Sequence, residues 1–232
     1  KRYRYEWADL WVIATFPALH FNIEDYPAIK KYFLDNFDIR QLEQSGEKYP
    51  SLKFNARKKT GNKWFETQDQ IAYYSEFEKE KLVWIELVDQ GRFCFVENGV
   101  YTLAGTFIMT GNNLKFLSAI LNSKIASWYF DLISTSSGVG TNMWKKYKIE
   151  QLPIPPITEE NAGIVREIEE RVERILAANK SQNVGVQNFE PQQDKNEQIQ
   201  STATQQSLEC EIDELVYALY GLDEQERGVV ER

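Results

Sequence analysis

Apolar residues recur along this chain first at strand spacing and then at helix spacing, and the change marks its organisation. Ala8 to Phe16 (ADLWVIATF) is apolar and β-branched enough for a strand. Asp25 then caps a predicted helix with Pro27 in its first turn, and Ile29, Tyr32, Phe33 and Phe37 follow at helical spacing. Lys58 to Asn62 (KKTGN) is a turn. Leu82 to Val88 and Arg92 to Val96 read as strands. Glu97-Asn98-Gly99 is a hairpin signal, from which Val100 to Thr110 returns as a third strand. Leu114 to Leu121 is a short helix, and Ser123 caps a second one running through Ile133.

After Pro156 the period is helical. Thr158 begins a helix with a narrow stripe of Ile164, Ile168, Val172 and Ile175. Leu208 to Leu222 forms another, with Ile212, Leu215, Val216 and Leu219 on one side and Gly221 at its end. Between them Ser181 to Ser207 is rich in Gln, Asn and Ser and poor in large apolar groups, which predicts a flexible linker. The expected fold is α+β. A mixed β-sheet domain with flanking helices occupies residues 1–156, and a helical spacer hairpin occupies 157–232, with the linker at about 181–207.

Composition bounds the chemistry. The chain has 232 residues, 42% of them hydrophobic, enough for one sizeable core or two small ones. Its net charge of −8 at first counts against a polyanionic partner. The distribution changes that. Residues 1–155 hold 20 Lys and Arg against 18 Asp and Glu, whereas 156–232 hold 7 against 17. Cys94 and Cys210 are too few and too far apart for a disulfide framework and fit a reducing cytoplasm as plain thiols. No apolar run reaches the ~18 residues of a membrane span, and no signal peptide is evident. The opening KRYRYEW reads as the middle of a longer chain.

Catalytic patterns are missing. No Glu-x-Lys or Asp-x-Lys occurs, as a Mg²⁺ nuclease centre of that kind would need. His20, the one histidine, cannot make a zinc site with two distant cysteines and is expected to pack or cap. Gly138-Val139-Gly140 leaves a predicted helix for a basic strand, the reverse of a dinucleotide fingerprint. Glu76, Glu78, Glu80 and Glu86 alternate with Lys79 and Lys81 and read as a solvated helix face. No residue is assigned to catalysis, a cofactor or a metal.

Two polar segments remain. In the first, Arg57 and Asn62 have planar heads suited to base edges, and Lys58, Lys59, Thr60 and Lys63 can hold phosphates; the plain alternative is a charged hairpin turn. Trp64 and Phe65 suit core anchors. The second belongs to STSSGVGTNMWKKYKIEQLPIPPI (Ser134 to Ile157). Ser134, Ser136, Ser137, Thr141 and Asn142 offer hydroxyls and amides there, and Lys145 and Lys146 offer charge. Trp144 can lie against a sugar or, as favoured here, against the sheet. The alternative is an ordinary surface loop.

The order of these segments resembles a known family. The Leu-Pro-Ile-Pro-Pro run (Leu152 to Pro156) leading into a helix, RKKTGNKWFETQDQIAYYSEFEKEKLVWIEL (Arg57 to Leu87), ILNSKIASWYF (Ile120 to Phe130) and LECEIDELVYALYGL (Leu208 to Leu222) are similar to the TaqI-like C-terminal specificity domain. That domain is the target-recognition part of type IIG restriction-modification enzymes and adenine-specific DNA methyltransferases. The resemblance implies sequence-specific binding of double-stranded DNA by a fragment that is not itself catalytic. It also implies a methyltransferase domain N-terminal to Lys1 as partner. That domain would carry the Gly-rich loop and the Asn-Pro-Pro-Tyr-type motif absent here, and would use S-adenosylmethionine, with Mg²⁺ if the parent also cuts DNA. The main rival is a protein-interaction module that docks another subunit without touching DNA; a weaker one is a complete small enzyme.

Overall fold

The structure, a computed structural model, describes residues 1–134, 142–184 and 195–232. The chain divides into two units, Asp9–Glu76 and a larger one made of Lys1–Ala8 with Phe77–Arg232.

The smaller unit holds little regular structure. Helix α1 (Pro27–Asn36) and the single turn α2 (Ile39–Leu42) precede a two-residue antiparallel pair, β1 (Lys48–Tyr49) with β2 (Phe54–Asn55). The strand expected at Ala8 to Phe16 is absent. A strand requires a ladder; here Thr15 docks onto the segment ahead, its hydroxyl donating to Phe65 O at 2.7 Å and its carbonyl accepting from Thr67 N at 3.0 Å. Leu10, Trp11 and Val12 are exposed. Asp25 does not cap α1: it ends a 3-10 turn, Ile23–Asp25, and Tyr26 is the N-cap, with Pro27 opening the helix. His20 closes the turn Pro17–Leu19 in left-handed conformation (φ 51°) and stays exposed.

The larger unit is organised by β3 (Lys81–Ile85). β4 (Leu87–Val88) continues it after a break at Glu86, followed by β5 (Cys94–Val96) and β6 (Thr106–Met109). β3 is the middle of a three-stranded antiparallel sheet, order β5-β3-β6, and β4 pairs antiparallel with β7 (Asn142–Met143). Every strand pair among the described residues is antiparallel, so the sheet is not mixed. Nor do the flanks of Glu97-Asn98-Gly99 form a hairpin. The Gly99 amide donates to Phe77 O (2.9 Å), the Tyr101 ring stacks on Phe77 (4.7 Å) and its hydroxyl reaches Glu78 (2.7 Å). The chain is drawn toward Phe77 and returns on the far side of β3.

A buried lysine seals that corner. Lys81, 0% exposed, donates to the carbonyls of Phe77 (2.8 Å), Lys79 (2.9 Å) and Glu97 (2.8 Å). All three of its protons are matched, as burial of an ammonium demands. Desolvation lowers its pKa against the opposing pull of Glu78.

Helix α3 (Leu114–Asn122) and helix α4 (Lys124–Ile133) meet at Ser123, whose hydroxyl oxygen accepts from Ala126 N, an N-cap as the sequence predicts. The turn α5 (Lys146–Ile149) follows β7, so the basic segment is helical rather than a strand. Helix α6 (Ala162–Val184) starts four residues after Thr158, because Thr158 and Asn161 first close a reciprocal pair of backbone–side-chain bonds. α7 (Lys195–Tyr220) ends at Gly221 (φ 69°) as expected, and α8 (Glu224–Val230) carries a capping box on Asp223. Residues 181–184 and 195–207 of the predicted linker are therefore helical; 185–194 lie outside the described residues. Arg171 in α6 bonds Glu211 in α7 (3.0 Å), while Asn179 and Gln205 both meet residues 2–3, so the two helices run antiparallel.

Two cores result. Phe116 and Ile120 of α3 pack with Val165, Ile168, Val172 and Ile175 of α6 and Leu208, Ile212 and Val216 of α7. This core spans residue 156, so by packing the helices belong with the sheet. The second joins Leu82, Trp84, Phe93, Leu121, Phe130, Trp144, Ile149 and Leu152.

Candidate nucleic-acid interface

The loop from Arg57 to Gln68 is shaped by side chains that grip backbone carbonyls. The Arg57 guanidinium donates to Leu42 O (Nε, 2.8 Å), to Glu66 O (Nη1, 2.8 Å) and, through Nη2, to Trp64 O. Gln44, 6% exposed, donates to Lys63 O (3.1 Å) and Glu66 O (2.9 Å) and accepts from the Thr60 hydroxyl (2.5 Å). Asn62 donates to Thr67 O (3.1 Å) and Gln68 O (3.0 Å) and accepts from Gln70 (3.0 Å). A loop without a strand partner must satisfy its polar groups in this way. Desolvation lowers the Arg57 pKa, yet five donors in a rigid fork keep the charge matched.

Arg57 and Asn62 are therefore corrected from base readers to braces, since the donors that would meet a base edge are already engaged. Thr60 is likewise turned inward. Lys58, Lys59 and Lys63 remain exposed; Lys63 also donates to Phe21 O (3.2 Å). Trp64 meets Phe33 edge-on at 6.2 Å and Phe65 at 5.6 Å, an anchor within the unit.

In the larger unit the residues after β7 are pinned from both sides. Trp144, 1% exposed, stacks on Phe130 at 3.7 Å and meets Phe93 edge-on. Its amide donates to Glu86 O (2.7 Å) and its carbonyl accepts from the Trp84 indole (2.7 Å). Trp144 is thus core, not a DNA contact, and is corrected from the candidate set. Downstream, Ile149 and Leu152 are buried. Between these anchors the turn α5 displays Lys145, Lys146, Tyr147 and Lys148. Lys145 faces Glu86 at 3.7 Å, and Lys146 faces Glu150 at 3.6 Å with 74% of its side chain exposed. Such surface pairs are worth about 0–1 kcal/mol and exchange readily for a phosphate. Lys148 instead bonds the Ile133 carbonyl that ends α4.

Ser134 and Asn142 are joined: the Ser134 hydroxyl donates to Asn142 Oδ1 (2.8 Å), and Asn142 donates to Asp131 (2.5 Å). Both are engaged with one another rather than presented. Ser136, Ser137 and Thr141 lie outside the described residues.

Two residues that shape these segments escaped the sequence reading. Gln44 was invisible because a lone Gln has no pattern. Asn122 lies in the Ile120 to Phe130 motif and holds Phe93 by two hydrogen bonds. Tyr147, 57% exposed among lysines, was legible as an aromatic in a basic run. Among the described residues no three of His, Cys, Asp and Glu stand where they could share a metal, and no helix is long and apolar enough to cross a membrane.

An antiparallel α+β scaffold, braced from within and presenting short polar and basic segments, defines a recognition module. The chain belongs to the TaqI-like C-terminal specificity domain family, whose model matches residues 28–154. Membership gives it a target-recognition role in restriction-modification. No curated protein matches the sequence. Residues 155–232, including all of α6 and α7, lie beyond the matched range.

Proposed function

We propose that the chain binds double-stranded DNA and reads a short sequence, serving as the specificity part of a type IIG restriction-modification enzyme or adenine-specific DNA methyltransferase. The observation that carries this reading is the display of Lys145 and Lys146 on a turn held rigid by Trp144 on one side and Ile149 and Leu152 on the other. A rigid cationic turn meets a phosphate backbone without first having to be ordered. Lys58, Lys59 and Lys63 supply further charge in the smaller unit. In this reading a methyltransferase domain of the parent protein binds S-adenosylmethionine and flips the target adenine, in the cytoplasm.

The test is selection of bound duplexes from a random pool, followed by affinity against salt for the winning and a scrambled site. A common selected sequence, bound more tightly than its scramble, supports the reading. No enrichment over many rounds overturns it.

A second reading has its own observation. Helix α1 buries none of its residues, and Tyr32, Leu34, Phe37 and Ile39 are exposed on and beside it. An apolar surface of that kind suits docking to another protein surface. It concerns the smaller unit and is compatible with DNA contact by the larger.

A further inference from the structure

We propose that Tyr147 is a DNA-contacting residue, its ring lying on a deoxyribose face beside phosphates held by Lys145 and Lys146. The inference rests on the duplex-binding reading above and assigns a contact that charge cannot make.

The aromatic residues of the second core are buried: Trp84 at 4% exposure, Phe93 and Phe130 at 0%, Trp144 at 1%. Tyr147 sits three residues after Trp144 and is 57% exposed, with no ring contact among the described residues. Its backbone is not loose. The turn α5 is anchored by the buried Ile149, the Tyr147 carbonyl accepts from the Gln151 side-chain amide (2.8 Å), and the next residue, Lys148, is tied to Ile133 O. An exposed ring on a fixed backbone, with two rotatable bonds, loses little freedom on binding.

Lysines meet any polyanion alike, since an ammonium is a point charge. A ring can also cover an apolar face, and nucleic acid, unlike inorganic polyphosphate, has sugar and base faces between its phosphates. Lys145 and Lys146 immediately precede Tyr147, so all three present themselves within one helical turn. The lysines supply the salt-dependent part of binding and Tyr147 the part that persists when ions are plentiful.

The two parts separate in a plot of log affinity against log salt for the full chain and a duplex. Each phosphate contact contributes about 0.9 to the slope, and the value extrapolated to about 1 M reports what is not ionic. Tyr147→Ala should lower that intercept about tenfold with the slope unchanged, Tyr147→Phe should restore it, and Lys146→Ala should reduce the slope. Binding to inorganic polyphosphate, which has no sugar or base face, should be unaffected by Tyr147→Ala. Thermal unfolding checks that the exposed substitution leaves the fold intact. If Tyr147→Ala matches the wild type at every salt concentration while Lys146→Ala flattens the slope, the Tyr147 assignment fails and the DNA-binding reading stands. If the wild-type chain binds no duplex, both fail.

Discussion

The side chain of Asn122 bonds the backbone of Phe93 as a neighbouring strand would: Oδ1 accepts from Phe93 N at 2.9 Å and Nδ2 donates to Phe93 O at 2.8 Å. Both groups are buried, so α3 is fixed to the start of β5 by a pair that water cannot replace. Asn122→Ala leaves the buried Phe93 amide without an acceptor, while the Phe93 carbonyl keeps the Tyr3 amide (3.1 Å), and should destabilise the chain by about 1–3 kcal/mol in denaturant unfolding. Asn122→Asp should do no better, because it sets a carboxylate against the Phe93 carbonyl.

Arg57 should behave as a brace. Arg57→Ala frees the carbonyls of Leu42 and Trp64 and leaves that of Glu66 to Gln44 alone. It should cost about 2–4 kcal/mol by the loss of charge-assisted bonds. Arg57→Lys should recover little, since a point charge cannot span three acceptors. Limited proteolysis should then cut first within residues 57–68. Unchanged protease resistance in Arg57→Ala would contradict the bracing role.

Gly91 leaves room for the Trp144 ring. A Cβ there would stand 2.7 Å from the ring and 3.1 Å from Phe93. Gly91→Ala should cost about 1–3 kcal/mol through overpacking, seen as a lower Tm. A change within experimental error would show that the Trp144 stack can shift.

Burial pushes the Cys94 thiol up to about 12, so it stays protonated and unreactive near neutral pH, while Cys210 is exposed. A thiol reagent at pH 8 should label Cys210 in the folded chain and Cys94 only after unfolding, as read by peptide mass. Equal labelling of both without denaturant would rule out the buried position of β5.

Asp213 on α7 accepts the Lys124 amide at 2.9 Å and so serves the first turn of α4 from outside it. Desolvation raises its pKa, opposed by that hydrogen bond and by Lys124. A carboxyl raised on folding favours the native state below its unfolded value, about 3.9, and loses that contribution as pH climbs through the folded value. Asp213→Asn keeps the acceptor without the charge. The stability of the wild type relative to Asp213→Asn should therefore fall as pH rises from about 4 toward neutrality. A difference that is flat across that window would show the charge to be costless. Asp213→Ala, which removes the acceptor, should cost about 1 kcal/mol near pH 4 and less as pH rises, since it also removes the charge.

The α+β class, the cap at Ser123, the helix end at Gly221 and the apolar stripes of α6 and α7 were legible because local pattern decides them. Long-range pairing was not. β6 pairs with β3 rather than with β5, since Gly99 and Tyr101 are held by Phe77 and Glu78, a contact that turn chemistry alone does not encode. The candidate interface was legible in part. Lys146 is exposed, and Lys145 is half-buried beside Glu86. Arg57, Asn62 and Trp144 belong to residue types that serve DNA contact and internal support equally well, and only burial and partners tell these apart. The helical turn at Lys146 was missed because four residues are too short to show a period.

The braces of the smaller unit bear on how such a module can change its target. Arg57, Gln44 and Asn62 hold the carbonyls of residues 63, 64, 66, 67 and 68, and every amino acid supplies the same carbonyl. These bonds hold the path of the loop whatever Lys58 and Lys59 carry outward. Lys58 and Lys59 can be exchanged for other side chains while these braces keep the backbone on its course, so the outward chemistry of the loop can change by substitution without a new fold.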